Sequence, residues 1–233
     1  MNKFLAVAAS AALLPVALAA PAQAYDRDMY SYAAGHMIGH EDIPAALNVK
    51  RGANFSATPF RGKNFLCGDE TARVEYAGGT MLFNINYEGK GNSSGIGVSV
   101  TQYASANKAI KAFNELKAGL KKCEGPASGQ QTFDDGSTDT WSRLNTTGSV
   151  PLVTVAGVAS VFVNENYDDV TSGSPDGTYG GGSYSSDSYS VYTLVNDVII
   201  NTSRYTGSQL NMSTKERKAV NQVAFNAVTR WVD

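Results

Sequence analysis

Gly95 to Gly125 reads GIGVSVTQYASANKAIKAFNELKAGLKKCEG, and its hydrophobic period changes once. Up to Thr101 it alternates, with Ile96, Val98 and Val100 set against Gly97, Ser99 and Thr101. That period of two marks a half-buried strand. From Ser105 onward the period is helical. Ala106, Ala109, Ile110, Phe113, Leu116 and Leu120 fall on one face, while Lys108, Lys111, Glu115 and Lys122 fall on the other. Ser105 can accept hydrogen bonds from the free N–H groups of the first turn. Gly125 and Pro126 favour ending the helix just after Cys123.

Working outward, Thr80–Tyr87 and Ala72–Tyr76 read as strands joined across Ala77-Gly78-Gly79, a sequence that admits positive φ in a hairpin. After Gly125, strands are expected at Gln131–Phe133 and Thr138–Leu144 around Asp134-Asp135-Gly136. Leu152–Val163 is dense in valine and reads as a central strand covered on both faces. Ser188–Val195 and Val198–Tyr205 read as a hairpin across Asn196-Asp197. A last helix opens on the capping box Ser213-Thr214-Lys215-Glu216 and presents Val220, Val223, Ala224, Ala227, Val228 and Trp231 on one face. Strands followed by a helix thus occur twice, without evident residue identity between the halves. The expected fold class is α+β: a twisted antiparallel β-sheet with two long helices packed against it and one disulfide.

The N-terminal 24 residues have the three parts of a secretory signal peptide. These are Lys3, an apolar run from Phe4, and a small-residue exit at Ala22-Gln23-Ala24. Residues 25–233 are expected to form one exported domain without stable membrane insertion. The two cysteines, Cys67 and Cys123, are an even count in an exported chain, which favours a disulfide between them over two buried thiols. A net charge of −2 gives no electrostatic reason to expect nucleic acid as a partner.

Two segments stand out from the regular pattern. Asn48–Lys63 carries Lys50, Arg51, Arg61 and Lys63 with no acid among them. It reads as a solvated loop, or as a contact for anionic cell-envelope polymer or lipid headgroups. Asn164–Asp187 is rich in Gly, Ser, Tyr and Asp, and no Lys or Arg occurs between Arg143 and Arg204. It reads as a flexible hairpin extension. Two further readings stay open: a weak Ca2+ site on Asp168, Asp169, Asp176 and Asp187, or a ligand lid using Tyr179 and Tyr184.

Catalytic patterns are sparse. Gly91-Asn92-Ser93-Ser94-Gly95 matches G-x-S-x-G, but it links two strands and both histidines precede it, whereas an elbow nucleophile needs a strand-to-helix turn and a later base. His36 and His40 have i,i+4 spacing, yet Gly39 weakens the helix and no third strong zinc donor follows.

The segment V-T-Q-Y-A-S-A-N-K-A-I-K-A-F with its terminal Cys123 resembles a recurring segment of the PknH-like extracellular sensor domains of actinobacteria. Glu41-Asp42-Ile43-Pro44, Phe65-Leu66-Cys67, the Ser190–Tyr205 hairpin and the Ala-rich last helix sit where such domains have corresponding features. The chain departs from the kinases of that family in having no kinase domain, no transmembrane helix and one cysteine pair. The resemblance implies an exported antiparallel α+β domain with a cleft for an unidentified ligand, and it transfers no binding residues. The expected function is a secreted, non-catalytic, sensor-like domain of the cell envelope, possessing no catalytic residues and taking a small molecule or an envelope component. The alternatives are a small exported hydrolase with fold-assembled carboxylates and a wall-binding module.

Overall fold

The structure is a computed structural model describing residues 35–56, 63–65, 73–75, 79–91, 93–150, 158–178, 180–207 and 211–232. The expected signal peptide, Arg61, Cys67 and Tyr179 lie outside the described residues.

Ten strands are described: β1 (Val49–Ser56), β2 (Lys63–Phe65), β3 (Arg73–Glu75), β4 (Thr80–Gly89), β5 (Ile96–Gln102), β6 (Gly125–Thr132), β7 (Thr138–Gly148), β8 (Ala159–Thr171), β9 (Gly182–Val195) and β10 (Val198–Thr206). Helix α1 (Ala106–Lys122) follows β5, and helix α2 (Thr214–Val232) follows β10. Eight strands form one antiparallel sheet in the order β1-β4-β5-β10-β9-β8-β7-β6, while β2 and β3 pair separately. The sheet is therefore two local meanders joined at one seam, where β5 meets β10 with Val100 opposite Ile200.

Alternation along the central strands explains why both helices are needed. Val198 and Ile200 of β10, with Tyr189, Val191 and Val195 of β9, face α2 and pack on Val220, Val223, Ala224, Ala227 and Val228. Ile199, Tyr192 and Leu194 point the other way and pack on Phe113, Leu116 and Leu120 of α1. A strand apolar on both sides must be covered on both sides, so the helices lie on opposite faces. β5 is apolar on one side only, and its Ile96, Val98 and Val100 join the α2 cluster, not that of the helix that follows it.

This placement also settles the repeated strand-then-helix order. A twofold relating antiparallel β5 and β10 would run perpendicular to the sheet and leave both helices on one face. They are on opposite faces, so the two halves are not related by that symmetry.

The caps form as the sequence predicts. Ser105 accepts from Lys108 N–H at 3.3 Å. Ser213 N–H donates to Glu216 Oε2 at 2.9 Å while Glu216 N–H donates to Ser213 Oγ at 3.2 Å, a reciprocal box. The buried stripe of α1 is Ala109, Ala112, Phe113, Leu116 and Leu120, whereas Ile110 is 44% exposed. The β9–β10 hairpin forms at the expected turn, with Asn196 at φ 50°.

Several expectations are corrected. The disulfide expected between Cys67 and Cys123 is not part of the described fold, because Cys67 falls outside the described residues. No free cysteine occurs among the described residues. The end of α1 is fixed there by the burial of Leu116 and Leu120 and by Asn145 Nδ2, which donates to the Cys123 carbonyl at 3.3 Å. The expected pairing of Ala72–Tyr76 with Thr80–Tyr87 is replaced: β3 pairs with β2, and β4 lies between β1 and β5. Much of the expected Asn48–Lys63 loop is the edge strand β1. Asn164–Asp187 is not a flexible extension but the paired ends of β8 and β9, in register from Asn164 opposite Tyr189 to Thr171 opposite Gly182. Cross-strand hydrogen bonding, not an apolar face, holds this part together.

Candidate functional site

Strands β6 to β9 run on past both helices as a four-stranded ribbon. On its α1 side, successive rows across β7, β8 and β9 are Asn145–Glu165–Ser188, Arg143–Tyr167–Ser186, Trp141–Asp169–Tyr184 and Asp139–Thr171–Gly182. The Trp141 ring lies over Gly129 of β6, where a Cβ would stand 2.7 Å from the ring, so only glycine admits the ring there. Arg143 reaches back over Trp141 at 5.9 Å from the ring centroid. Tyr167 and Tyr184 are neighbours, with centroids 6.5 Å apart.

At the ribbon tip these rows end in a hollow of about 440 Å3 lined by Phe133, Asp135, Ser137, Asp139, Asp169 and Thr171. Its walls are fixed locally. Ser137 donates through its hydroxyl to Asp135 Oδ1 at 2.6 Å and through its N–H at 2.9 Å. Both bonds favour the ionised form and lower the Asp135 pKa. Ser172 N–H donates to Thr138 O at 2.7 Å, which ties the β6–β7 turn to the end of β8.

The chemically unusual pair is Asp139 and Asp169. Thr171 Oγ1 donates to Asp139 Oδ1 at 2.8 Å, and Tyr167 OH donates to Asp169 Oδ2 at 2.9 Å. Asp169 Oδ1 is buried, and no hydrogen-bond donor among the described residues reaches it. Interaction with the neighbouring Asp139 carboxyl, with burial behind it, holds Asp169 above the usual carboxylate range, although the Tyr167 hydroxyl lowers it. Burial, then the bond to Asp169, pushes the Tyr167 phenol up to about 12. One row further in, burial raises the Glu165 pKa and the charge of Arg143 opposes it.

A carboxyl whose pKa is raised by folding contributes stability below its unfolded pKa and loses it as pH rises through the folded value. Asp169→Asn cannot ionise and keeps an acceptor for Tyr167. At pH 7 its melting temperature should exceed that of the parent by about 1–2 °C, the scale of a sub-kilocalorie change in a domain of this size. The difference should close near pH 3, which thermal melts at the two pH values will read.

The structure scatters most residues singled out from the sequence. Asp169 lines the hollow and Tyr184 stands beside it, 36% exposed. Asp168 alternates to the opposite face of β8. Asp176 is engaged in the β8–β9 turn, where Ser174 and Thr178 bonds lower its pKa to about 2. Asp187 is fully buried against Arg217 at 2.8 Å. The four acids are not brought together, and no group of three or more His, Cys, Asp or Glu residues among the described residues could hold a metal ion. Lys50 pairs with Glu88 at 2.8 Å on the β1–β4 edge, Arg51 is exposed on β1, and Lys63 is on β2. His36 packs edge-on against Trp231 and His40 against Tyr87, both beside α2 or the sheet edge. Glu41 and Asp42 pair with Arg230.

Sequence reasoning missed Phe133, Asp135, Ser137, Asp139, Trp141 and Thr171. One available signal was the alternation Asp139-Trp141-Arg143 against Glu165-Tyr167-Asp169, two polar-aromatic rows with the same period.

Among the described residues no helix is long and apolar enough to cross a membrane. No family model matches the sequence, and no curated protein matches it. Among solved structures, the chain is similar to the extracellular domain of PknH from Mycobacterium tuberculosis, with 13% identity over 85% of this chain and 99% of that one. The TM-score is 0.44, an overlap too loose to lend weight to any functional reading.

Proposed function

We propose that this chain is an exported, non-catalytic, sensor-like domain of an actinobacterial-type cell envelope that takes a small ligand at the ribbon tip. The observation that supports this most is the hollow itself. Its size falls within the range of small-molecule sites. Its lining combines an exposed apolar ring, Phe133 at 42%, with the carboxylates of Asp135, Asp139 and Asp169. The fold does not need these groups, since the two apolar clusters close under α1 and α2 without them. The signal-like N-terminus and the sequence resemblance support the exported, sensor-like part of the reading.

Amide shifts of the labelled protein test the placement. Muramyl dipeptide, arabinose oligosaccharides and simple organic amines are to be added in turn. Shifts confined to residues 133–141, 165–172 and 182–186 support the reading. Saturable shifts centred elsewhere, or none with the whole panel, defeat it.

The Asp139–Asp169 pair also favours a second reading, a hydrolase that activates water between two carboxyls. It requires turnover of some substrate to disappear in Asp139→Asn and Asp169→Asn alike.

A further inference from the structure

The two edges of the large sheet differ in how they are protected. An edge strand with open backbone groups recruits other strands, and folds blunt it with charge, irregularity or short length. β1 is blunted: it carries Lys50 and Arg51, and its register against β4 shifts between Val49 and Ala53. β6, the opposite edge, reads GPASGQQT without a charged residue and pairs with β7 in unbroken register from Gly125 to Thr132. We propose that β6 is a self-association edge, at which two copies of this chain pair antiparallel about a twofold axis at Gln130. The proposal does not depend on the ligand site.

Three observations carry it. The first is the direction of the backbone groups. Phe133 N–H donates to Ser137 O at 2.9 Å, which fixes the phase of the ladder. The odd-numbered residues of β6 therefore bond to β7, while Ser128, Gln130 and Thr132 turn their N–H and C=O groups outward. All three residues are exposed, and no strand among the described residues lies beyond them.

The second is fit. With Gln130 opposite Gln130 of the second copy, Ser128 stands opposite Thr132, and each outward N–H meets a carbonyl. The Ser–Thr and Gln–Gln neighbours on that face can also hydrogen-bond side chain to side chain. Pro126, which has no N–H, falls outside this core of pairs. On the other face the Trp141 ring covers Gly129 and firms an otherwise pliable position in the edge.

The third is charge, which decides both occupant and direction. Lys121 and Lys122 precede β6 at the end of α1, and Asp134 and Asp135 follow it. Glu124 pairs with Lys121, and Ser137 bonds to Asp135. Lys122 and Asp134 are exposed and enter no ion pair among the described residues. A strand flanked by bases before and acids after complements itself when run antiparallel, because the acidic turn of each copy then lies along the basic flank of the other. A parallel pairing would set like charges together. The edge thus carries its own complement, which favours a second copy over an unrelated peptide.

Pairing consumes β6 and leaves only the blunted β1, so association closes at the dimer. An interface built on one strand edge belongs to the small, transient class below about 1,200 Å2, so the dimer depends on concentration.

Sedimentation equilibrium of the full mature chain, up to about 1 mM, tests the proposal. The parent should pass from monomer to dimer and no further. Gln130→Lys, which sets two ammonium groups side by side at the axis, should weaken the dimer at least about tenfold. Gln130→Pro should do the same, since it removes an outward N–H and none that β7 uses; if it fails to fold, Gln130→Lys decides alone. Lys122→Glu and Asp134→Lys should each weaken the dimer about threefold, and the double variant should restore it. A parent that stays monomeric overturns the proposal, and so does a dimer indifferent to the Gln130 variants, which would use another surface. A dimer that needs Gln130 but is not restored by the charge exchange overturns the antiparallel arrangement. Growth beyond the dimer overturns the twofold.

Discussion

Asp187→Ala should destabilise the protein by about 3 kcal/mol, and Asp187→Asn by distinctly less. Asp187 has no exposed surface, and its Oδ2 accepts from Met212 N–H and from Arg217, each at 2.8 Å. Its backbone is also locked, because Asp187 N–H donates to Thr206 Oγ1 while the Thr206 hydroxyl donates to the Asp187 carbonyl. Breaking a buried ion pair by removing one partner costs about 3–5 kcal/mol, mostly for the charge left behind. Arg217 is 34% exposed and can turn to water, which places the loss at the lower end. The backbone N–H of Met212, in a residue only 3% exposed, has no such escape. Asparagine restores its acceptor. Urea unfolding of the three proteins measures the order, and a loss in Asp187→Asn as large as in Asp187→Ala would show that the charge, not the acceptor, is what counts.

Arg204→Met should cost more, about 4–5 kcal/mol, with a fall in melting temperature on the order of 10 °C. The Arg204 side chain is 2% exposed and ties three parts of the chain together. Nη1 donates to the Leu47 carbonyl at 3.1 Å and to the Ser94 carbonyl at 2.8 Å, and Nη2 donates to Glu216 Oε1 at 2.8 Å. Methionine fills much of the volume but leaves two carbonyls and a carboxylate without their donor. Arg204→Lys is no remedy, since one ammonium cannot reproduce the planar fork.

A pH signature separates this loss from simple cavity formation. Burial raises the Glu216 pKa, but the Ser213 N–H and hydroxyl and the Arg204 guanidinium outweigh it, and the net value is lowered. A lowered carboxyl contributes stability above its unfolded pKa and loses it as pH falls through the folded value. Without Arg204 that contribution shrinks, so the stability of Arg204→Met should depend less steeply on pH in the acid range. An unchanged acid profile would mean that Arg204 acts through packing alone.

How far the sequence carried the fold can be read from individual elements. The β5–α1 unit, the β9–β10 turn and the Ser213–Glu216 box were all legible, because each rests on a local rule: alternation, capping or turn chemistry. The pairing partners were not. Nothing local says that β3 pairs with β2, or that the apolar side of β5 faces the later helix. β8 beyond Asn164 was read as a loop for a definite reason. Beyond Asn164 neither face of β8 carries a run of apolar side chains, so Tyr167, Asp168, Asp169 and Val170 show no apolar alternation, and the strand is defined by its cross-strand pairing. The site was obscured by the same circumstance. Asp139 and Asp169 lie thirty positions apart, and only the register of β7 against β8, with Trp141 opposite Asp169, brings them to one face.

The β5–β10 seam sets the order in which the chain can fold. Apart from β1, which reaches β4 across β2 and β3, each meander can grow from neighbouring hairpins, where loop closure is short and fast. The seam joins strands roughly a hundred positions apart in sequence. The entropy of closing that loop is lost before the apolar strands on either side gain their cover. Refolding should therefore be limited by a late docking of the two meanders, and substitutions at Val100 or Ile200 should slow it more than equally destabilising ones at the ribbon tip.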